Sequence, residues 1–230
     1  MSGYNIKSAL PLVAALALLA ACTGSGGGDL YKAEKALFEA RKLNGELVVA
    51  TMNREFLEKT MEAYRDLVSE YGSMAADIEG MEEIVVSAQM ELSELEFRAG
   101  MLEAARDDFL AAADYARTIE SARANAVWSA AYISMEMGDY GKSRELFERF
   151  TDTFLGPDDA ERTFRMNGRY LVTPIRLAEI ERRLGSQEGS QRWLDRAIGI
   201  YSGLIESSND SLLVRETRYN LLTARLQSGD

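Results

Sequence analysis

Histidine is absent from this chain, cysteine occurs once and proline three times. Without imidazole there is no Zn or Cu site built on histidine, no di-iron centre of the Glu-x-x-His kind, and no Ser-His or Cys-His nucleophile. A lone cysteine, Cys22, cannot close an internal disulfide. The prolines are Pro11, Pro157 and Pro174, so little interrupts a helix. Basic runs are missing too: 26 Lys and Arg stand against 37 Asp and Glu, a formal net charge of −11. A surface this acidic is repelled by nucleic-acid phosphates and anionic headgroups, so neither is expected to hold the chain by charge. No glycine-rich loop ends in Gly-Lys-Ser/Thr, which leaves no phosphate cradle. Carboxylate pairs do occur, at Glu82-Glu83, Glu91 with Glu94, Asp107-Asp108 and Asp158-Asp159. They lie in Ala- and Arg-rich amphipathic runs, where a solvated helix face is their expected place, and Asp158-Asp159 after Pro157 suits a helix start. Neither catalytic residues, a metal nor an organic cofactor is expected; the chain does not read as an enzyme.

What is present begins at the N-terminus. After a polar segment carrying Lys7, residues 9–21 are almost wholly apolar and Cys22 follows at once. The run is too short for a bilayer-spanning helix, which needs ~20 apolar residues, and fits the core of a signal peptide. Leu19-Ala20-Ala21-Cys22 resembles the lipobox of bacterial lipoproteins. That resemblance implies that Cys22 is diacylated, freed by cleavage and N-acylated, with palmitate-like chains anchoring the protein. Anchoring of this kind is firm, since two lipid signals already suffice. Residues 23–28, Thr-Gly-Ser-Gly-Gly-Gly, read as a flexible tether. The expected organisation is therefore a signal peptide over 1–21, the lipidated cysteine and tether over 22–28, and a folded domain over 29–230. Gram-negative lipoproteins kept at the inner membrane carry Asp after the cysteine; Thr23 implies the periplasmic face of the outer membrane instead.

The domain is rich in strong helix formers, Ala, Leu, Glu and Arg, and shows no sustained apolar/polar alternation. An all-α fold without a sheet is expected. Breaks are expected near Leu43-Asn44-Gly45, Met52-Asn53, Tyr71-Gly72-Ser73, Gly100, Gly138-Asp139, Gly156-Pro157, residues 185–190 and residues 207–210. Pro174, inside a helical run, should end or kink it.

Two segments then repeat one pattern. Gly100, Leu102, Ala105 and Phe109 recur as Gly138, Tyr140, Ser143 and Phe147. Glycine permits a tight turn, the small residue lets two helices approach, and the aromatic fills the space between helix pairs. This order resembles the middle of the tetratricopeptide repeat (TPR). The resemblance implies a solenoid of helical hairpins, with residues 83–99 and 122–137 as first helices. Weaker copies flank them: Met61, Tyr64, Leu67, Val68 and Tyr71; residues 175–185 followed, after an insertion at 186–191, by Trp193, Ala197 and Tyr201; and residues 212–230 as a last first-helix. That last helix is expected to cap the array through Leu213, Tyr219, Leu222 and Leu226. The usual closing proline is present only near Pro157, and the copies are spaced more widely than the ~34-residue family period.

By the same alignment, a groove on the first-helix face carries Met90, Phe97, Arg98, Asn125, Trp128, Tyr132, Met135, Ile175, Glu179 and Arg182. Trp, Tyr, Arg and Met suit peptide recognition; equally, Trp128 and Tyr132 suit a core position where Ala130-Ala131 replace the family's Leu-Gly. The expected function is a lipid-anchored periplasmic TPR scaffold that binds protein partners, with no nucleic acid and no metal. Two alternatives share the anchor: a subunit of the machinery that assembles outer-membrane β-barrels, and an accessory lipoprotein binding envelope glycan or peptidoglycan through Asn125 and Trp128.

Replacing Cys22 by Ser tests the anchor. The chain should leave the membrane fraction or persist as an unprocessed precursor, read by fractionation and mass; unchanged fractionation and mass would refute it.

Overall fold

Alanine, leucine and glutamate form ten α-helices in a computed structural model describing residues 25–49, 53–156 and 159–229. They are α1 (Ser25–Val49), α2 (Arg54–Tyr71), α3 (Met81–Arg98), α4 (Leu102–Tyr115), α5 (Glu120–Glu136), α6 (Tyr140–Phe154), α7 (Ala160–Met166), α8 (Thr173–Arg183), α9 (Gln187–Ser207) and α10 (Ser211–Ser228). Short 3-10 turns occupy Gly72–Met74 and Gly168–Val172. Among the described residues there is no strand, so the fold is all-α and repeat-like, made of packed helical hairpins. The signal segment and Cys22 lie outside the described residues. The chain divides into two compact units, Met1–Ala88 and Gln89–Asp230.

In the first unit α1 packs on α2. Asn53 starts α2, its side chain accepting from the Glu55 N–H at 3.0 Å. Thr60, Met61, Tyr64, Leu67 and Tyr71 then fall at helical spacing and are buried against Ala33, Leu37, Ala40 and Leu47 of α1. Burial, helped by Glu70, pushes the Tyr71 phenol up to about 12. Two expectations fail here. The break at Leu43-Asn44-Gly45 is absent, and α1 runs through it. Glycine in a helix costs ~1 kcal/mol, less than the ~1.5–3 kcal/mol that burying Leu47 gains, and Asn44 reaches Tyr64 (Nδ2 to OH, 3.5 Å). Helix also extends over Ser25–Gly28, four residues of the expected tether. Propagation onto an existing helix adds a hydrogen bond for each residue ordered, which offsets part of the glycine cost.

The second unit is organised by three glycines. Gly100, Gly138 and Gly185 adopt φ of 78°, 78° and 82°, the left-handed region open to glycine. Each closes the same pair of hydrogen bonds at the end of a first helix. Gly100 N–H donates to Phe97 C=O (3.0 Å) and Met101 N–H to Glu96 C=O (2.9 Å). Gly138 and Asp139 do so to Met135 and Ser134, and Gly185 and Ser186 to Arg182 and Glu181. Five residues beyond each glycine stand Ala105, Ser143 and Ser190, all buried. Nine beyond stand Phe109, Phe147 and Leu194, also buried. Ser143 Oγ donates to Ala131 C=O at 2.9 Å, joining α6 to α5.

The third copy is thus continuous, and the expected insertion at 186–191 is not one. Ser186 caps α9 by accepting from the Gly189 N–H at 3.0 Å, and residues 187–190 are its first turn. Gly189 sits so close to the Glu181 carboxylate of α8 and the Ser186 hydroxyl that a Cβ there would force one of those side chains to move. Contacts run α4 to α5, α5 to α6, α6 to α8, α8 to α9 and α9 to α10. Pro174 neither ends nor kinks a helix: it lies in the first turn of α8, where a missing N–H costs nothing. Between α6 and α8 the chain inserts α7 and the 3-10 turn Gly168–Val172, the latter held to α9 by the buried Tyr201 hydroxyl donating to Leu171 C=O.

Asp210 caps α10, accepting from the N–H groups of Leu212 (2.9 Å) and Leu213 (3.1 Å). The apolar face expected to pack there is divided. Leu213, Thr217 and Ala224 are buried, while Leu212, Tyr219, Leu222 and Leu226 are exposed. Tyr219 is six residues past Leu213, about 240° around the helix, so the two cannot share a contact face.

Ala105→Leu should overpack the contact made at this small-residue position and destabilise by roughly 1–3 kcal/mol. The urea midpoint should fall with an unchanged slope; an unmoved midpoint would refute the repeat register.

Candidate functional site

Trp128 and Tyr132 lie one turn apart on α5, so their side chains meet. Their rings stack nearly parallel (4°) with centroids 5.6 Å apart. Trp128 is only 7% exposed. It presents to Phe147 edge-on at 5.9 Å and to Tyr170 at 5.9 Å. Its indole N–H donates to Thr173 Oγ1 (3.1 Å), whose hydroxyl donates to Tyr170 C=O (2.6 Å). This relay satisfies a buried donor and ties the 3-10 turn to α5. Tyr132 is half-buried; burial first, then its hydrogen bond to Glu136, push its phenol up, so it stays a neutral donor.

That 3-10 turn supplies the residue that completes the site. Asn167 accepts from the Arg169 N–H at 3.1 Å and so starts the turn. The Arg169 guanidinium lies 4.6 Å from the Trp128 ring centroid, and its Nη2 donates to Asn125 Oδ1 at 2.8 Å. Ser129 Oγ donates to the same oxygen at 3.3 Å. A cation over an aromatic face at an exposed site is worth ~0.5–1 kcal/mol. Arg169 has no carboxylate at ion-pair distance among the described residues. These groups and Phe97, Glu94, Phe109 and Ile133 line a cleft of about 420 Å³. Phe97 is its exposed aromatic at 38%. Chemically the cleft offers apolar walls, a fixed cation, an amide and a phenol, which suits an amphipathic side chain or short peptide.

Of the ten expected groove residues, the cleft gathers Phe97, Asn125, Trp128 and Tyr132. Met90 and Met135 are half-buried and pack against the core. Arg98 is exposed at the end of α3. Ile175 is a correction: it is 6% exposed and belongs to the core, because α6 and the 3-10 turn both pack on α8. Glu179 pairs with Arg176 at 3.4 Å and Arg182 donates to Gln227 at 3.1 Å, both away from the cleft. For Trp128 the packing alternative holds for most of the ring, with one part left to the cleft.

Sequence reasoning did not place Arg169, Glu94 or Ser129. Glu94 and Ser129 stand one turn from Phe97 and Asn125, so helical spacing was a usable signal. Arg169 sits in the inserted turn, at no repeat position. A larger cavity, about 540 Å³, lies along Gly199, Gly203 and Ser207 of α9, with only Arg196 charged in its lining. Among the described residues no group of three or more Cys, Asp and Glu could hold a metal, and no helix is long and apolar enough to cross a membrane.

No family model matches the chain, and no curated protein matches it. Among solved structures it is similar to BtubC (BKLC) from P. vanneervenii, with 17% identity over 90% of this chain and 86% of that one and a TM-score of 0.46. It is also similar to the de novo designed helical repeat protein DHR64, with 17% identity, coverage of 87% and 95%, and a TM-score of 0.32. A third similarity is to the DHF119 filament, with 18% identity, coverage of 86% and 94%, and a TM-score of 0.31.

Trp128→Ala should cost ~3–5 kcal/mol of stability, because it empties a packed aromatic site. Thr173→Val leaves the indole N–H unpaired and should cost ~1–3 kcal/mol. Denaturant unfolding checks both; equal stability of Trp128→Ala and wild type would contradict the burial described.

Proposed function

We propose that this chain is a lipid-anchored, TPR-like scaffold that binds a protein partner at the periplasmic face of the bacterial outer membrane, and that it is not an enzyme. The cleft at Phe97, Tyr132 and Arg169 carries this reading: it joins an exposed aromatic, a phenol and a fixed cation, the residue types that dominate protein-binding hot spots. Support for the TPR kinship comes from the three glycine-closed turns, each followed by a small residue at +5 and a large apolar one at +9. Support for the anchor comes from Leu19-Ala20-Ala21-Cys22, and for the outer membrane from Thr23. The glycan alternative is weaker on this geometry. Sugar rings stack on open aromatic faces, whereas Trp128 is already occupied by Tyr132 and Arg169.

The test is affinity purification of the acylated chain from envelope membranes, wild type beside Tyr132→Ala and Phe97→Ala. A defined protein should be recovered with wild type and lost from the variants, which keep their helicity. A hot-spot loss of ~2 kcal/mol corresponds to about thirtyfold weaker capture. Recovery of glycan in place of protein, or equal recovery with all three chains, would overturn the reading.

A further inference from the structure

The first helix carries a feature that repeat packing does not use. Ala33, Leu37, Ala40 and Leu47 point one side of α1 inward. On the far side Tyr31 and Phe38 are 67% and 66% exposed, seven residues apart. Lys35 and Lys42, both exposed, fall into the same stripe, since 31, 35, 38 and 42 follow spacings of four, three and four. Neither lysine has a carboxylate at ion-pair distance among the described residues. In a chain of net charge −11, this is an aromatic face that carries two lysines, bordered by Glu34 on one side and by Glu39 and Glu46 on the other.

We propose that the outer face of α1 is a lipid-surface contact, with Tyr31 and Phe38 seated at headgroup level and Lys35 and Lys42 on anionic phosphates. The inference rests on the anchored reading of Cys22. Aromatic rings and lysines are the side chains that settle at a bilayer interface: the ring body leaves water, and the lysine stem lies along the apolar layer while its ammonium meets phosphate. Proximity adds to the chemistry. Helix α1 begins at Ser25, three residues after Cys22, and three residues span at most ~11 Å. From Ser25 to Tyr31 the helix rises ~9 Å. Tyr31 is therefore held within about 20 Å of the acylated residue, and Phe38 follows two turns on. A weak interfacial helix so placed acts as a second, reversible attachment beside the covalent one.

The test uses the full acylated chain, purified from membranes and reconstituted in phosphatidylethanolamine–phosphatidylglycerol vesicles. Cys22 is the one natural cysteine, and its acylated thioether takes no thiol reagent. A single cysteine introduced as Tyr31→Cys, Lys35→Cys or Phe38→Cys therefore carries a spin label alone, with Lys32→Cys and Glu39→Cys as flanking controls. The stripe labels should be severalfold more accessible to oxygen, and less to a water-soluble nickel relaxant, than the controls. Adding Lys35→Glu with Lys42→Glu should abolish that contrast at position 31 while helicity stays unchanged. High nickel accessibility at all positions would overturn the proposal. So would protection from both relaxants, which would mark a second copy covering the stripe. Labelling of Cys22 itself, with chain that does not float with the vesicles, would overturn the anchor and the α1 contact with it. Co-flotation with a single, water-accessible label would overturn the α1 contact alone.

Discussion

How closely the second helix of a hairpin can approach the first decides most of what the larger unit does. At Ala105, Ser143 and Ser190 the approaching residue is small and buried, and at Gly189 the backbone itself abuts Glu181. A larger residue at any of these places would push the helices apart and open voids that the Phe109, Phe147 and Leu194 side chains now fill. The left-handed glycine five residues earlier sets the direction of approach, since it ends one helix and aims the chain back along it. Turn geometry and side-chain size are thus one constraint stated twice.

The cleft is a by-product of a departure from that regularity. Had α6 led directly into the next first helix, Trp128 would keep Tyr132 and Phe147 but have neither Tyr170 nor Arg169 against it. The extra turn of α7 and the 3-10 segment bring Tyr170 beneath the indole and Arg169 above the cleft, and Thr173 fixes both by accepting the indole N–H. A buried polar relay therefore positions the half-exposed side chains of the cleft. Rigid support beneath adaptable side chains is the arrangement that binding sites built on helices favour.

Much of this was legible in the residues, and the remainder fails for identifiable reasons. Helix content, the turns at Gly100 and Gly138, the cap at Asn53 and the buried stripe of α2 follow from periodicity and capping chemistry, which act over a few residues. At Gly185 the sequence suggests an insertion that is not there, because Gln187 and Leu194 replace the aromatic or aliphatic residue expected at +2 and the aromatic expected at +9. Asn44-Gly45 looked like a break, but tertiary burial on either side outweighs a local preference of ~1 kcal/mol. Ile175 was assigned to a groove by counting along the helix, whereas its exposure is set by elements remote in sequence. Arg169 could not be paired with Trp128, 41 positions earlier, by any local rule. The cleft is thus half legible: Phe97, Asn125, Trp128 and Tyr132 follow from spacing on α3 and α5, Glu94 and Ser129 beside them do not stand out, and Arg169 of the insertion has no local signal.

The distribution of indoles has a spectroscopic consequence. Both tryptophans, Trp128 and Trp193, are buried in the second unit, at 7% and 5% exposure, and the first unit contains none. Intrinsic indole emission therefore reports on residues 89–230 alone. Far-ultraviolet ellipticity sums helices from both units. Where the two signals trace different transitions, the difference isolates the unfolding of α1 and α2 without any label, and where they coincide the two units melt as one cooperative body.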